Sequence, residues 1–279
     1  MRRLSATRFL ILPGLALLLF LFVAPLAVIL KAGLFEDGGT SGYLARFISN
    51  GAYLEVMERT VAFSAIVSAI CLFAGYPIAF FIARQTKKWR PLLVFLIFVP
   101  MWMSILVRTY SWMILLGREG IVNATLMKLG LVSTPLRLIY TTGSVYLVLV
   151  QVLLPFMVMT CYSAMAEIDE THIRAARLLG ARPLSAFLRV FLPLSLEGAV
   201  SGFVLVFMLS MGVFVVPGLV GGPRDTMMAN LIATQVEQTN WGFGAALALV
   251  LLATTLAAMS VIRLATRRFV FSPARETAA

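Results

Sequence analysis

Six apolar runs long enough to cross a bilayer leave this chain few ways to fold. They cover residues 9–30, 60–83, 91–115, 144–165, 198–220 and 243–264. A helical crossing takes about 20 residues. Hydrocarbon offers no partner to backbone N–H and C=O groups, so each run must satisfy its own and is expected to be helical. The first run alone holds sixteen Leu, Ile, Val or Phe residues. Each favours insertion by about 0.3–0.6 kcal/mol near the membrane centre. That run exceeds the 7–15 apolar residues typical of a signal peptide, and no small-x-small cleavage site follows, so it reads as a retained span. Only 13% of the residues are charged, about half the soluble average. The expectation is an all-α integral membrane protein with six transmembrane helices.

The formal net charge is +11. In a soluble chain this would suggest nucleic acid. Here the basic residues flank apolar runs and no basic aromatic groove is visible, so nucleic acid is not an expected partner. With the N-terminus inside, the inner loops and tails hold fifteen Lys and Arg and the outer ones eight. That bias places both termini in the cytoplasm. The organisation is then a tail, first span and outer loop over 1–59, a core of five spans over 60–265, and a tail over 266–279.

Several chemistries drop out. Cys71 and Cys161 lie inside apolar runs and read as buried free thiols. The single histidine, His172, has no Cys/His neighbours at metal spacing, so no metal site is expected. No GxxxxGK[ST] loop is present, so the chain holds no ATP by a P-loop of its own. No residue stands out as catalytic. No carboxylate lies deep in a run: Glu55 and Glu58 precede the second and Glu197 precedes the fifth. A stand-alone channel or ion-coupled carrier would need such groups or a polar filter. A scaffold that only lays its basic loop on anionic lipid is a further alternative.

Pro77, Pro100, Pro155 and Pro217 fall in the middle runs, where each can kink or break a helix. The outer segments 117–142 and 221–242 carry short apolar patches that read as interfacial helices. Trp102, Tyr110, Trp112, Tyr140 and Trp241 lie near run ends, as an aromatic belt would place them. Arg108, Tyr110, Trp112, Phe214 and Trp241 are the candidates for an outer vestibule or solute pathway.

Between the fourth and fifth runs lies "HIRAARLLGARPLSAFLRVFLPLS", residues 172–195, with four arginines. It reads as two short helices with a joint. Asp169 and Glu170 suit the N-terminus of the first, and Gly180 can end it with positive φ. Pro183 suits the first turn of the second. Leu184, Phe187, Leu188 and Phe191 recur at helical spacing as one apolar face, and Pro193 is expected to stop the helix. Ala175 and Ala176 keep the first helix slim.

The order Ala175-Ala176, Gly180, Val190 and Leu192-Pro193 resembles the EAA loop of ATP-binding cassette (ABC) importer permeases. Residues 107–112 (VRTYSW), 154–158 (LPFMV), 212–217 (GVFVVP) and 221–223 (GGP) resemble segments of the spermidine/putrescine-type permeases. The first span is similar to that group's extra N-terminal helix. The resemblance implies the type I importer permease fold in a bacterial inner membrane. It also implies that residues of about 167–193 form a coupling loop docked on a cytoplasmic ATPase dimer, which holds ATP and Mg. Arg174, Ala175, Ala176, Leu179, Gly180, Ala181 and Arg182 would make that contact. A second permease subunit and an extracytoplasmic binding protein complete the implied assembly. Two departures bear on this. Arg174 stands where the family has Glu, and Val213 and Gly218 replace acidic positions of polyamine members, with no carboxylate until Asp225. A polyamine is the solute implied, with other small amines, opine-like compounds and aminophosphonates as alternatives.

Overall fold

A computed structural model describes residues 13–25, 27–28, 31 and 39–270 of the chain. Among them every regular element is helical. In chain order these are α1 (Pro13–Pro25), α2 (Gly39–Ser49), α3 (Gly51–Ala83), α4 (Arg90–Phe98), α5 (Ile105–Leu116), α6 (Ile121–Lys128) and α7 (Thr142–Ala166). After them come α8 (Glu170–Leu178), α9 (Pro183–Ala186), α10 (Leu192–Met211), α11 (Val215–Val220), α12 (Met228–Glu237) and α13 (Trp241–Val270). The helices form two compact units, drawn from Met1–Glu55 with Leu231–Ala253 and from Val56–Asn230 with Thr254–Ala279.

Among the described residues four helices are long and apolar enough to cross a membrane: Gly51–Ala83, Thr142–Ala166, Pro183–Met211 and Trp241–Thr266. A bent pair makes a fifth if it crosses as one. The first predicted span is helical over 13–25, and its ends lie outside the described residues, as does the tail beyond 270.

Two runs depart from single straight helices. The third, expected over 91–115, is broken: Arg90–Trp102 and Ile105–Lys128 meet at 89°. Pro100 cannot donate to the preceding turn. The chain tightens there into a 3₁₀ turn at Val99–Trp102, goes extended at Met103 (ψ 138°), and restarts after Ser104. The fifth, expected to reach 220, ends as α10 at Met211, and α11 is a separate short helix. Pro217 therefore sits in α11 and not in a long span. Pro77 and Pro155 stay inside the unbroken α3 and α7.

In the larger unit α7 is the central post. Val145, Val148, Leu149, Met157 and Cys161 on it are at most 1% exposed. Cys71 and Cys161 are buried free thiols, as read from the sequence. Apolar side chains gain little by leaving lipid for a protein interior, so helix contact in a membrane depends on close packing of small residues. The α7–α10 contact is of that kind. A Cβ on Gly198 would lie 2.4 Å from the Ala164 Cβ, and one on Gly202 would lie 2.8 Å from the Met157 Sδ. Gly75 of α3 meets the same methionine, 2.9 Å from its Cγ.

Segments 117–142 and 221–242 contain the short helices expected of them, α6 and α12. Buried Asn123 ties the α6 region together, donating to the carbonyls of Gly117 and Leu136 (both 3.0 Å) and accepting from the Leu136 N–H. Asp225, 3% exposed, accepts from the Thr142 hydroxyl and the Gly222 N–H, both at 2.7 Å. The loop after α11 is thereby stapled to the start of α7. In the smaller unit Arg46 stacks over Phe243 at 4.7 Å, and Tyr43 and Tyr53 flank the same ring.

Gly198→Ala should lower the thermal melting point of the detergent-purified protein, since forcing a methyl into a full contact costs about 1–3 kcal/mol. Gly51→Ala, whose new Cβ meets nothing within 4 Å, should leave it unchanged. A scanning melt on both variants checks this.

Candidate functional site

The insert between α7 and α10 is built by local rules from its first residue. Asp169 is the N-cap of α8: its Oδ1 accepts from the Thr171 N–H (2.9 Å) and the Thr171 hydroxyl (2.7 Å). These bonds hold its carboxyl below the usual carboxylate range, the backbone bond most of all, with His172 and Arg174 adding attraction. At the other end Gly180 has φ 87°. Its N–H donates to the Arg177 carbonyl and the Ala181 N–H to that of Ala176, each at 3.0 Å. This pair of bonds is a Schellman cap, and it makes the joint a fixed bend. Arg182 then caps α9 in extended conformation, with Pro183 in its first turn.

Beyond α9 the structure corrects the sequence reading. Pro193 does not stop the helix. The chain passes through a π-turn at Phe187–Phe191 into α10, so residues Pro183–Met211 form one helix of 29 residues. The Leu192 N–H bonds five residues back to Phe187. A widened turn of this type makes room for a proline that lacks a donor and would crowd the preceding turn. The extra residue also splits the expected apolar face. Phe191 is 3% exposed and Phe187 is half-buried, whereas Leu184 and Leu188 are exposed.

Ile173, Ala186 and Phe191 anchor the insert in the core. Its outer side is basic and apolar at once. Arg174, Ala175, Arg177, Gly180 and Arg182 are exposed, Ala176 and Ala181 are half-buried, and Leu178 and Leu179 are each 89% exposed. Ala176, Leu179, Gly180, Ala181, Arg182 and Arg189 border a shallow groove of about 530 Å³. The insert thus brings all seven coupling-loop candidates onto one jointed element. His172 is exposed, its Nδ1 3.3 Å from the Asp169 carbonyl. A cavity of about 680 Å³ opens beside it between α7 and α10, lined by Glu167, Asp169 and Glu197 with Thr160, Ser163 and Ser201.

The pathway candidates are less united. Trp112 Nε1 donates to Gln151 Oε1 at 3.5 Å, and both line a mainly apolar cavity of about 450 Å³ between α3, the broken third run and α7. Arg108 is half-buried, its Nε and Nη1 enclosed without a hydrogen-bond partner. Tyr110 and Phe214 are exposed, and Trp241 lies in the smaller unit, also exposed.

Residues 75–270 match the family described as binding-protein-dependent transport system inner membrane component. The chain belongs to this family. It is 37% identical over 242 residues to the spermidine/putrescine transport system permease protein PotB of Salmonella typhimurium (strain SL1344), covering 84% of each chain. PotB of Escherichia coli (strain K12) is also 37% identical, over 84% of this chain and 88% of its own. The inner membrane ABC transporter permease protein YdcU of the same strain is 31% identical over 68% of this chain. Among solved structures, a chain of a bacterial alginate ABC transporter superposes with TM-score 0.73 at 15% identity, covering 96% of both. A chain of the inward-facing MetNI methionine ABC transporter gives 0.53 at 18% identity, over 80% of this chain and 98% of its own. These two support the fold.

As an inner membrane transport component, the protein is a multi-pass, non-enzymatic partner in transport. Two residues of its site escape sequence reasoning. Leu178 is not among the sequence candidates, yet it is as exposed as Leu179; the signal was two leucines directly before a helix-ending glycine. Gln151 was legible only as the lone amide within the fourth apolar run.

The depressed Asp169 pKa makes the α8 cap pH-dependent. A lowered folded pKa means the carboxylate's contribution is complete above the ordinary aspartate range and is lost as pH falls through the lowered value. Hydrogen exchange over 170–178, corrected for intrinsic rates, should show protection constant from neutral pH down to the usual carboxylate range and falling below it. In Asp169→Asn, which still caps but does not ionise, that acid step should vanish.

Proposed function

We propose that this protein is a translocation-pathway subunit of an ATP-driven importer, and that residues 167–193 are its coupling loop for a cytoplasmic ABC ATPase dimer. One observation carries the reading: a fixed, jointed, basic insert that is anchored in the core yet holds Leu178 and Leu179 outward at 89% exposure each. Monomeric soluble surfaces rarely carry such apolar groups together unless a partner covers them. In this reading Leu178, Leu179, Ala175 and Ala176 enter an apolar groove on the ATPase. Arg174, Arg177 and Arg182 meet its polar rim, where charge steers docking. ATP and Mg belong to that partner. ATP binding draws the two ATPases together and moves the insert, shifting the bundle between inward- and outward-facing states. A second permease subunit, identical or related, completes the pathway, and an extracytoplasmic binding protein delivers the solute. The basic inner loops support cytoplasmic placement of both termini.

The solute class we assign is a polyamine. Support comes from the PotB relatives, named as spermidine/putrescine permeases. Arg108, Tyr110, Trp112, Phe214 and Trp241 are the chain's candidate pathway residues, with Gln151 joining Trp112. A cation stacked on the Trp112 ring would gain cation–π attraction. The carboxylates of Glu167, Asp169 and Glu197, the last within the helix Pro183–Met211, offer counter-charge around the cavity beside His172.

Co-expression with the candidate ATPase should yield a stoichiometric complex on purification through this chain. Leu178→Asp with Leu179→Asp should abolish capture while the permease still melts cooperatively. Recovery of the full complex from the double variant would refute the docking role. Gly180→Val, which forces a β-branched residue to φ 87°, should leave the protein membrane-inserted but lower spermidine uptake into proteoliposomes at least tenfold, since strain of this kind costs on the order of 1–3 kcal/mol. Normal uptake in that variant would show that the joint is not part of coupling.

A further inference from the structure

Docking explains what the insert touches outside the membrane. It does not say which span receives the motion. α10 is the obvious recipient, being continuous with α9 through the π-turn. A second connection runs sideways to α3. Tyr76 and Phe80 of α3 and Arg84, in the turn directly after it, are spaced four apart and follow one helical face, the Arg84 N–H still bonding back to the Phe80 carbonyl at 3.2 Å. Phe187, Phe191 and Ser195, also spaced four apart, follow the helix that leaves the insert.

The two triplets meet rung by rung. The Tyr76 hydroxyl and the Ser195 Oγ lie 2.6 Å apart in a hydrogen bond. The Phe80 ring stands edge-on to Phe187 at 5.4 Å and to Phe191 at 5.1 Å, while those two rings stack at 5.6 Å. The Arg84 guanidinium caps the assembly, 4.9 Å from the Phe80 ring centroid and 5.5 Å from that of Phe191. Edge-to-face rings and a cation over a ring are directional contacts and resist sliding more than aliphatic packing does.

We infer that this ladder is the second transmission track of the transporter: Tyr76, Phe80 and Arg84 are positioning residues through which the insert turns α3 together with α10. The inference rests on the coupling-loop reading above. The π-turn lies where the track meets the insert, at Phe187–Phe191. It rotates Phe187 and Phe191 toward α3 and leaves Leu184 and Leu188 outside. Without the ladder, rotation of the insert would reach α7 and α10, with which it is continuous in sequence, but would lack this directional contact with α3. The other side of α3's inner end is held separately, since the Arg90 Nη2 donates to the Ala83 carbonyl at 2.6 Å.

The test uses the complete complex of this chain, its second permease, the ATPase and the binding protein, in proteoliposomes with radiolabelled spermidine as the probe. The quantity read is spermidine taken up per ATP hydrolysed. In Phe80→Ala and in Arg84→Ala it should fall about tenfold, within the range by which residues remote from both sites alter coupling. ATPase capture and basal hydrolysis should persist. Phe80→Tyr, which keeps the ring, should restore the ratio. Phe73→Ala, on the same helix but 88% exposed, should match wild type. An unchanged ratio in Phe80→Ala, or loss of ATPase capture along with uptake, would overturn the track, the second outcome marking the contacts as purely structural. A wild-type chain that captures no ATPase or moves no spermidine would instead sink the proposed function.

Discussion

Hydrocarbon supplies no hydrogen bond, and that constraint orders the whole structure. Every apolar run must close its backbone on itself. Irregular backbone then becomes a local event with a local remedy. Where Pro100 removes a donor, the chain tightens into a 3₁₀ turn and changes direction. Where Pro193 would do the same, a π-turn absorbs it and the helix continues. Where α11 ends, the Ser144 hydroxyl and the Tyr140 N–H take up the Val220 carbonyl. The contrast between Pro100 and Pro193 shows that the same residue breaks or spares a helix according to the turn around it.

Much of this could be read from the residues. The helical class, the apolar runs, the buried thiols and the presence of short helices in 117–142 and 221–242 followed from run length and pattern. So did the joint at Gly180 and the helix start at Pro183, because caps are local and need only their neighbours. The breaks at 103–104 and 212–214 were legible only as prolines able to kink or break a helix, not as positions where one ends. Apolar composition is the same on either side of them, and only three-dimensional packing decides whether a proline stops, kinks or passes. Leu184 and Leu188 were read onto one apolar face with Phe187 and Phe191 because a 3.6-residue period was assumed across a turn that is wider than that.

The candidate site divides along the same line. The jointed insert proposed for coupling is coded in contiguous sequence, so its residues were found together. The apolar cavity beside Trp112 is lined from α3, the broken third run and α7, with Trp112 meeting Gln151 across 39 positions. No periodicity announces such a meeting. Asp225, the first carboxylate after Val213 and Gly218, has its two oxygens engaged by Thr142 and Gly222 in holding a loop, a role that only the fold shows.

The glycine notch between α7 and α10 has a consequence for how such a protein can change over generations. Gly198 and Gly202 leave no space for even one added carbon, so the two helices form an inherited chassis on which drift is barred. Residues that only line cavities carry no such burden. New cargo preferences can therefore be explored around a frame that stays still.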